Sequence, residues 1–204
     1  MPKKNSNGDR PLWQVMESGI HNRGVFARKN IEPETDIIQY VGERLSHKVA
    51  DARGLAWEAK ARKSGVGAVY LFTLNEKWVI DGNTEDNPAR LINHSCDPNC
   101  EAIIYGEGGE AEIWLVSKKR IRKGEELTFD YGFDAENYED HPCLCGSKNC
   151  VGYIVGEEYR ADLELFKQKK SKKAKKKNKG KSKKKAPEAV LARKNRRKKQ
   201  FAAP

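Results

Sequence analysis

Asn93-His94-Ser95-Cys96-Asp97-Pro98-Asn99-Cys100 holds two of the chain's five cysteines; the other three fall together in Cys143-Leu144-Cys145-Gly146-Ser147-Lys148-Asn149-Cys150. Thiols this sparse and this clustered are metal ligands more often than core residues. Cys143, Cys145 and Cys150 follow C-x-C-x4-C, which supplies three thiolates where a closed tetrahedral zinc site takes four. The fourth is expected from the first cluster, either Cys96 or Cys100. A metal held this way stitches the C-terminal end of a domain to the Asn93–His94 loop. Between the two clusters lies Leu127-Thr128-Phe129-Asp130-Tyr131-Gly132-Phe133, whose aromatics at i and i+2 share one strand face. Taken singly, Asn93 reads as a turn former, His94 as a structural histidine and Tyr131 as core. Their position around a metal turns the same residues into a candidate site.

Working outward, apolar residues come in short bursts from Leu12 to Phe166. Ile37–Val41, Val69–Leu74, Trp78–Ile80, Ala102–Tyr105 and Ala111–Val116 are rich in β-branched and aromatic residues at strand length. Gly106-Glu107-Gly108-Gly109 reads as a hairpin loop between the last two. Ser46–Lys63 is rich in Ala, Glu, Lys and Arg, so a helix capped by Ser46 is expected, weakened by Gly54. A short turn is expected after Asn87-Pro88, because proline suits a first helical position. The domain is therefore mainly β with few short helices.

The net charge of +11 divides unevenly. Residues 167–204 carry 19 Lys and Arg against the single acid Glu188, a charge of +18, which leaves −7 on residues 1–166. The lysine-rich part lacks the apolar surface that offsets ordering entropy, so it is expected to be disordered. A cluster of this size suits a polyanion, and non-specific DNA binding through phosphate neutralisation is the first expectation. No apolar run approaches the roughly 20 residues of a membrane span, and Met1–Arg10 has no secretory core. No membrane partner is expected, and an intracellular setting follows.

Read together, Asn93–Cys100, Glu126–Tyr131 and the C-x-C-G-x3-C segment resemble the SET-domain protein lysine methyltransferases with a post-SET zinc segment. Ser18-Gly19-Ile20-His21-Asn22-Arg23-Gly24-Val25-Phe26-Ala27 is similar to that family's N-terminal cofactor loop, and Tyr70–Phe72 and Ile80–Gly82 follow in the family's order. The resemblance implies the pseudoknotted SET fold, with the Phe129–Tyr131 segment passing through a loop near Asn93. It divides the chain into a flexible 1–11, a SET domain over 12–135, a post-SET zinc segment over 136–156, a connector over 157–166 and a disordered tail over 167–204. S-adenosylmethionine is then the cofactor, met by Ile20, His21, Arg23, Gly24, Asn93 and His94 and covered by Leu144. Tyr131 becomes the catalytic tyrosine, and Tyr40, Tyr70 and Phe129 line a lysine channel. Cys96, Cys143, Cys145 and Cys150 become the zinc ligands, with Cys100 spare. Phe129, lacking a hydroxyl, leaves room for an amine already bearing methyls, so di- or trimethyl-lysine is expected.

The implied substrate is a lysine-rich basic protein, a histone or histone-like protein or the chain's own tail, for which an acidic domain is complementary. The location is chromatin in a nucleated cell and the nucleoid otherwise. Two other classes stand beside the enzyme: a catalytically silent SET-like module, and an architectural protein that binds DNA through its basic tail.

Overall fold

The computed structural model describes residues 10–64 and 70–171. The chain begins with an antiparallel hairpin, β1 (Trp13–Glu17) and β2 (Arg23–Ala27). Asn22 closes its loop at φ 44°, a conformation asparagine tolerates better than most residues, and Ser18 N–H donates to Asn22 O at 2.9 Å. Next come β3 (Asp36–Tyr40), β4 (Glu43–Ser46), the helix α1 (His47–Ser64), β5 (Leu71–Thr73) and β6 (Trp78–Asp81). A single 3-10 turn, Pro88–Leu91, leads into the two-residue β7 (Asn93–His94). β8 (Cys100–Tyr105) and β9 (Glu112–Ser117) form a second hairpin, and β10 (Thr128–Phe129) follows. A second helix, α2, spans 160–171.

The described residues form four small sheets. β1 pairs with β2, β9 lies between β3 and β8, β6 lies between β4 and β5, and β10 pairs in parallel with β7. The five strands expected from the sequence are all present within two residues at either end. The hairpin loop falls between Tyr105 and Glu112, which are paired in register. β1, β2, β4 and β7 were not anticipated, and the strand expected around Phe129 is the two-residue β10. Apolar side chains from several sheets meet in one core, where Val25, Ile31, Ile113, Leu115, Ile121 and Leu127 are essentially inaccessible. That burial is the main stabilising term for strands too short to persist alone.

α1 begins one residue after Ser46, as its composition predicts. His47 Nε2 lies 2.8 Å from Asn75 O, and the Trp57 ring lies 6.3 Å from that of Tyr70. Ala50 packs with Leu45 and Val79, and Arg53 forms ion pairs with Glu43 at 2.8 Å and with buried Asp81. Residues 65–69, part of the same insert, lie outside the described residues.

The C-terminal boundary departs from expectation. The connector proposed over 157–166 is a 3-10 turn (Glu157–Tyr159) running into α2, which continues to residue 171. Residues 167–171, expected as disordered tail, are therefore helical. The cause is a second small core that charge alone did not reveal: Leu163 is fully buried against Ala135, Tyr138 and Val155, with Tyr153 and Phe166 beside them. Lys170 helps hold the helix there, 2.7 Å from Glu139 and 4.9 Å from the centre of the Tyr138 ring. The rest of the proposed tail, 172–204, and residues 1–9 of the proposed flexible N-terminus lie outside the described residues.

The turn joining β3 to β4 is packed to its limit. A Cβ placed on Gly42 would stand 2.0 Å from the main-chain oxygen of Asp81, which no rotamer change relieves. Gly42→Ala should therefore cost about 2–3 kcal/mol and lower the melting temperature by roughly 5–10 °C, read by calorimetry.

Candidate functional site

The parallel pairing of β7 with β10 sets Thr128 opposite Asn93 and Phe129 opposite His94. Each of these strands contributes only two residues, so side chains hold the junction. Asn99 clasps it: its amide nitrogen donates to Glu126 O at 2.8 Å, and its oxygen accepts Thr128 N–H at 2.9 Å. Ser95 N–H adds a bond to Phe129 O at 3.2 Å. The chain leaves β10 at Tyr131, whose backbone N–H donates to His94 Nδ1 at 3.2 Å.

From that junction Tyr131 enters a cleft of about 290 Å³ that is also lined by Tyr40, Tyr70, Phe72, Arg90 and Phe129. The Tyr131 hydroxyl donates to Ile92 O at 2.9 Å, and the Tyr40 hydroxyl donates to Tyr70 O at 2.8 Å. The rings touch in series: Phe72 to Phe129 at 6.1 Å, Phe129 to Tyr131 at 4.9 Å and Tyr131 to Phe133 at 5.8 Å between centroids. Burial pushes the phenols of Tyr131 and Tyr40 well above the ordinary tyrosine range. Both therefore remain neutral hydroxyls at physiological pH.

On the other side of β7 lies the Ser18–Arg23 loop. Buried Asn93 anchors it, its amide nitrogen lying 3.1 Å from Ser18 Oγ, 3.2 Å from Arg23 O and 2.7 Å from Glu126 Oε1. Ser18 Oγ donates to the Glu126 carboxylate at 2.8 Å and accepts Ile20 N–H at 2.9 Å. Gly24 is needed here, since a Cβ on it would stand 2.2 Å from Glu126 Oε1. Of the residues expected to meet a cofactor, Asn93, His94 and Gly24 are buried and Ile20 is half-buried, while His21, Arg23 and Leu144 are exposed. His21 and Arg23 face Asn93 through their main-chain oxygens. Glu126 was not singled out from the sequence. It lies in the Glu126–Tyr131 motif, but its role depends on Ser18, 108 positions away.

The thiols form the third wall. The sulfurs of Cys96, Cys143, Cys145 and Cys150 all lie within 4.8 Å of one another, and Cys96 and Cys143 are 3.9 Å apart. Four thiolates about 2.3 Å from one tetrahedral ion stand about 3.8 Å from each other, so this donor set fits a single soft cation. Burial pushes the Cys96 thiol up, so keeping it as a thiolate calls for a positive ion beside it. Cys100 is outside the group. It is fully buried, its thiol is pushed up by burial to about 12, and it donates to Asn99 Oδ1 at 3.5 Å. Arg160 of α2 donates to Cys96 O at 2.7 Å, which ties the second core to the same residue. Leu144 projects from this segment with 65 % of its surface exposed.

Comparison with known proteins bears on this arrangement. A family model described as the SET domain matches residues 22–132, more than half of the chain. A protein of Aspergillus oryzae named histone-lysine N-methyltransferase, H3 lysine-4 specific, is 45 % identical over 139 residues, 67 % of this chain and 11 % of its own length. A Saccharomyces cerevisiae protein of the same name is 43 % identical over 139 residues, 67 % of this chain and 12 % of its own. The Caenorhabditis elegans histone-lysine N-methyltransferase set-2 is 42 % identical over 145 residues, 71 % of this chain and 9 % of its own. The chain thus spans about a tenth of the length of these relatives.

Proposed function

The chain belongs to the SET-domain family, and from that premise we propose that it is a protein lysine N-methyltransferase that uses S-adenosylmethionine. The observation that carries this reading is the cleft in which Tyr40, Tyr70, Phe129 and Tyr131 converge beside the Asn93–His94 junction. S-adenosylmethionine, when bound, supplies an electrophilic methyl group on a sulfonium, to which an uncharged lysine nitrogen bonds as the carbon–sulfur bond breaks and S-adenosylhomocysteine is left.

The chain's own residues account for the rest. The Ser18–Arg23 loop, held by Asn93 and Glu126, would grip the donor largely through its backbone. Leu144 would cover the apolar face of that donor, which gives its exposed side chain a partner. The aromatic walls would strip water from the lysine and hold its nitrogen in line, where alignment gains arise. Their faces also suit a methylated cation as it leaves. Tyr131, kept neutral by burial, would orient the reacting groups through its hydroxyl, and the lysine proton would go to water. Cys96, Cys143, Cys145 and Cys150 would hold zinc, for which four thiolates are a favoured set. That ion would fix the Leu144 segment against β7.

For the substrate we propose a histone, with a histone H3 tail carrying lysine 4 the first to try, because relatives at 43–45 % identity are named H3 lysine-4 specific. The acidic charge of residues 1–166 suits such a partner. A chromatin location follows from that choice, and no helix among the described residues is long and apolar enough to cross a membrane. Residues 172–204 would add salt-sensitive contact with DNA, on their charge alone.

Incubating the chain with labelled S-adenosylmethionine and a panel of basic proteins tests the reading, with Tyr131→Phe as control. Label should enter histone lysines, and truncation after residue 171 should preserve transfer to peptides. An architectural DNA-binding protein would instead lose its function with the tail. No transfer to any protein, the chain itself included, would leave the silent-module reading standing.

Phe129 sets the degree of methylation in this proposal. It packs on Phe72 and Tyr131 with no polar atom of its own. In Phe129→Tyr the added hydroxyl would hold water or the amine where a second methyl must fit. The di- and trimethyl products should fall about tenfold relative to monomethyl, a difference of ~1.4 kcal/mol between barriers. Mass spectrometry of exhaustively treated peptide reads the ratio directly.

A further inference from the structure

Arg90 lies in the Pro88–Leu91 turn and lines the same cleft as Tyr40, Tyr70 and Tyr131. Its guanidinium carbon sits 5.6 Å from the centre of the Tyr70 ring. Its Nε is buried without a hydrogen-bond partner, and no carboxylate among the described residues pairs with it. A donor left unpaired in this way normally costs stability, which the contact with the Tyr70 ring offsets only in part. Glu85 and Asp86, which precede the turn, are exposed and form no ion pair with Arg90 among the described residues, and three other acids of this region are engaged. Asp81 pairs with Arg53, Glu126 accepts from Ser18 and Asn93, and Asp130 faces His94 at 3.7 Å. β2 and β3, which pack against the turn, bring Arg23 and Asp36 as their charged groups, and Asp36 accepts the Tyr105 hydroxyl at 2.9 Å. The other titratable groups facing the cleft are the phenols of Tyr40, Tyr70 and Tyr131.

We propose that Arg90 is a fixed, uncompensated cation that makes the cleft favour the incoming lysine as a neutral amine over the ammonium. This deepens, and rests on, the methyltransferase reading above. A second positive charge beside the guanidinium is unfavourable in a slot with aromatic walls, so the ammonium gives its proton to bulk water. The lone pair this leaves is what forms the new nitrogen–carbon bond. Arg90 acts through its charge and not as a base. That charge is already felt within the cleft: burial dominates the upward shift of the Tyr40 phenol, and Arg90 is the group that opposes it.

The test is the pH dependence of kcat for the full chain on a methylatable lysine peptide at saturation, which reports the amine in the complex. The acid limb in the parent should lie below the solution pKa of the peptide lysine. In Arg90→Gln it should move up by about one pH unit, so that turnover falls about tenfold at neutral pH and recovers at alkaline pH. Arg90→Lys should keep the parent profile. A peptide carrying aminoethylcysteine, a less basic amine, in place of lysine should restore Arg90→Gln near neutrality. An equal loss at every pH, or no rescue by aminoethylcysteine, overturns the proposal. Should Arg90→Gln fail to fold, Arg90→Met carries the same test while keeping an apolar stem over Tyr70. A parent limb at the solution value of the lysine overturns the proposal without any variant. An active Arg90→Gln with an unshifted limb defeats this inference alone, whereas a parent inert toward all basic proteins defeats the methyltransferase reading.

Discussion

Tyr131→Phe should fold with the stability of the parent to within about 1 kcal/mol and transfer methyl groups at least about 10²-fold more slowly. The substitution removes one oxygen. The Tyr131 backbone N–H keeps His94 Nδ1, and the ring keeps its neighbours His94 and Phe129, at 5.4 and 4.9 Å. Within the protein, only the hydroxyl's hydrogen bond to Ile92 O disappears. Burial holds the phenol neutral, so the variant loses no base. It loses a dipole that positions the reacting groups in a dry slot, where small misplacements are costly. Single-turnover rates with both substrates saturating separate this from weaker binding. A variant as fast as its parent would remove the hydroxyl from the chemistry and leave Tyr131 as packing.

Cys143→Ser should empty the metal site and abolish activity together. Binding of a structural zinc ion carries apparent free energies of about 10–16 kcal/mol near neutral pH, much of it available to folding. The expected loss is local. The main core around Leu115 and Leu127 shares no residue with the second core around Leu163, so β structure should survive while the 133–171 region loosens. Elemental analysis should fall from one metal ion per chain to none, and hydrogen exchange should rise first around Leu144 and α2. Prolonged treatment of the parent with a strong chelator should reproduce both changes. Cys100→Ala is the control, since Cys100 is fully buried outside the sulfur cluster and its loss should leave metal content unchanged. Full metal content in Cys143→Ser would dismiss the four-sulfur site.

The strands that could be read from the sequence are those that carry their own signal. Ala111–Val116 is apolar and β-branched over a strand's length, and Ser46–Lys63 has a helix former's composition. β7 offers no such signal, because two residues cannot show a period and only its pairing with β10 makes it a strand. β1 was missed for another reason. Trp13-Gln14-Val15 alternates, but apolar Met16 breaks the alternation and the partner strand begins with Arg23-Gly24. Three of the four sulfurs were legible because clustered cysteines have few other uses, while the choice of Cys96 over Cys100 came only with the family resemblance. Glu126 and Arg90 were not, since an acid before a strand and a basic residue in a turn look like ordinary surface. Their significance lies in partners held or lacked across the fold. α2 was hidden beneath the lysines that follow it, although Leu163 and Phe166 were there to be seen.

Cys96 shows what such long reach means for a chain being made. Its sulfur waits for residues 143–150, its carbonyl waits for Arg160, and Ser18 near the start waits for Glu126. A nascent polypeptide leaves the ribosome N-terminus first, so the hairpins can form early while these closures come last. Translation arrested before codon 160 would yield a body with its tyrosine in place and its cover unfastened. On the proposed reading, competence for chemistry would therefore arrive only once residue 160 has been made, and a copy arrested short of it would be in no position to act on a neighbouring protein.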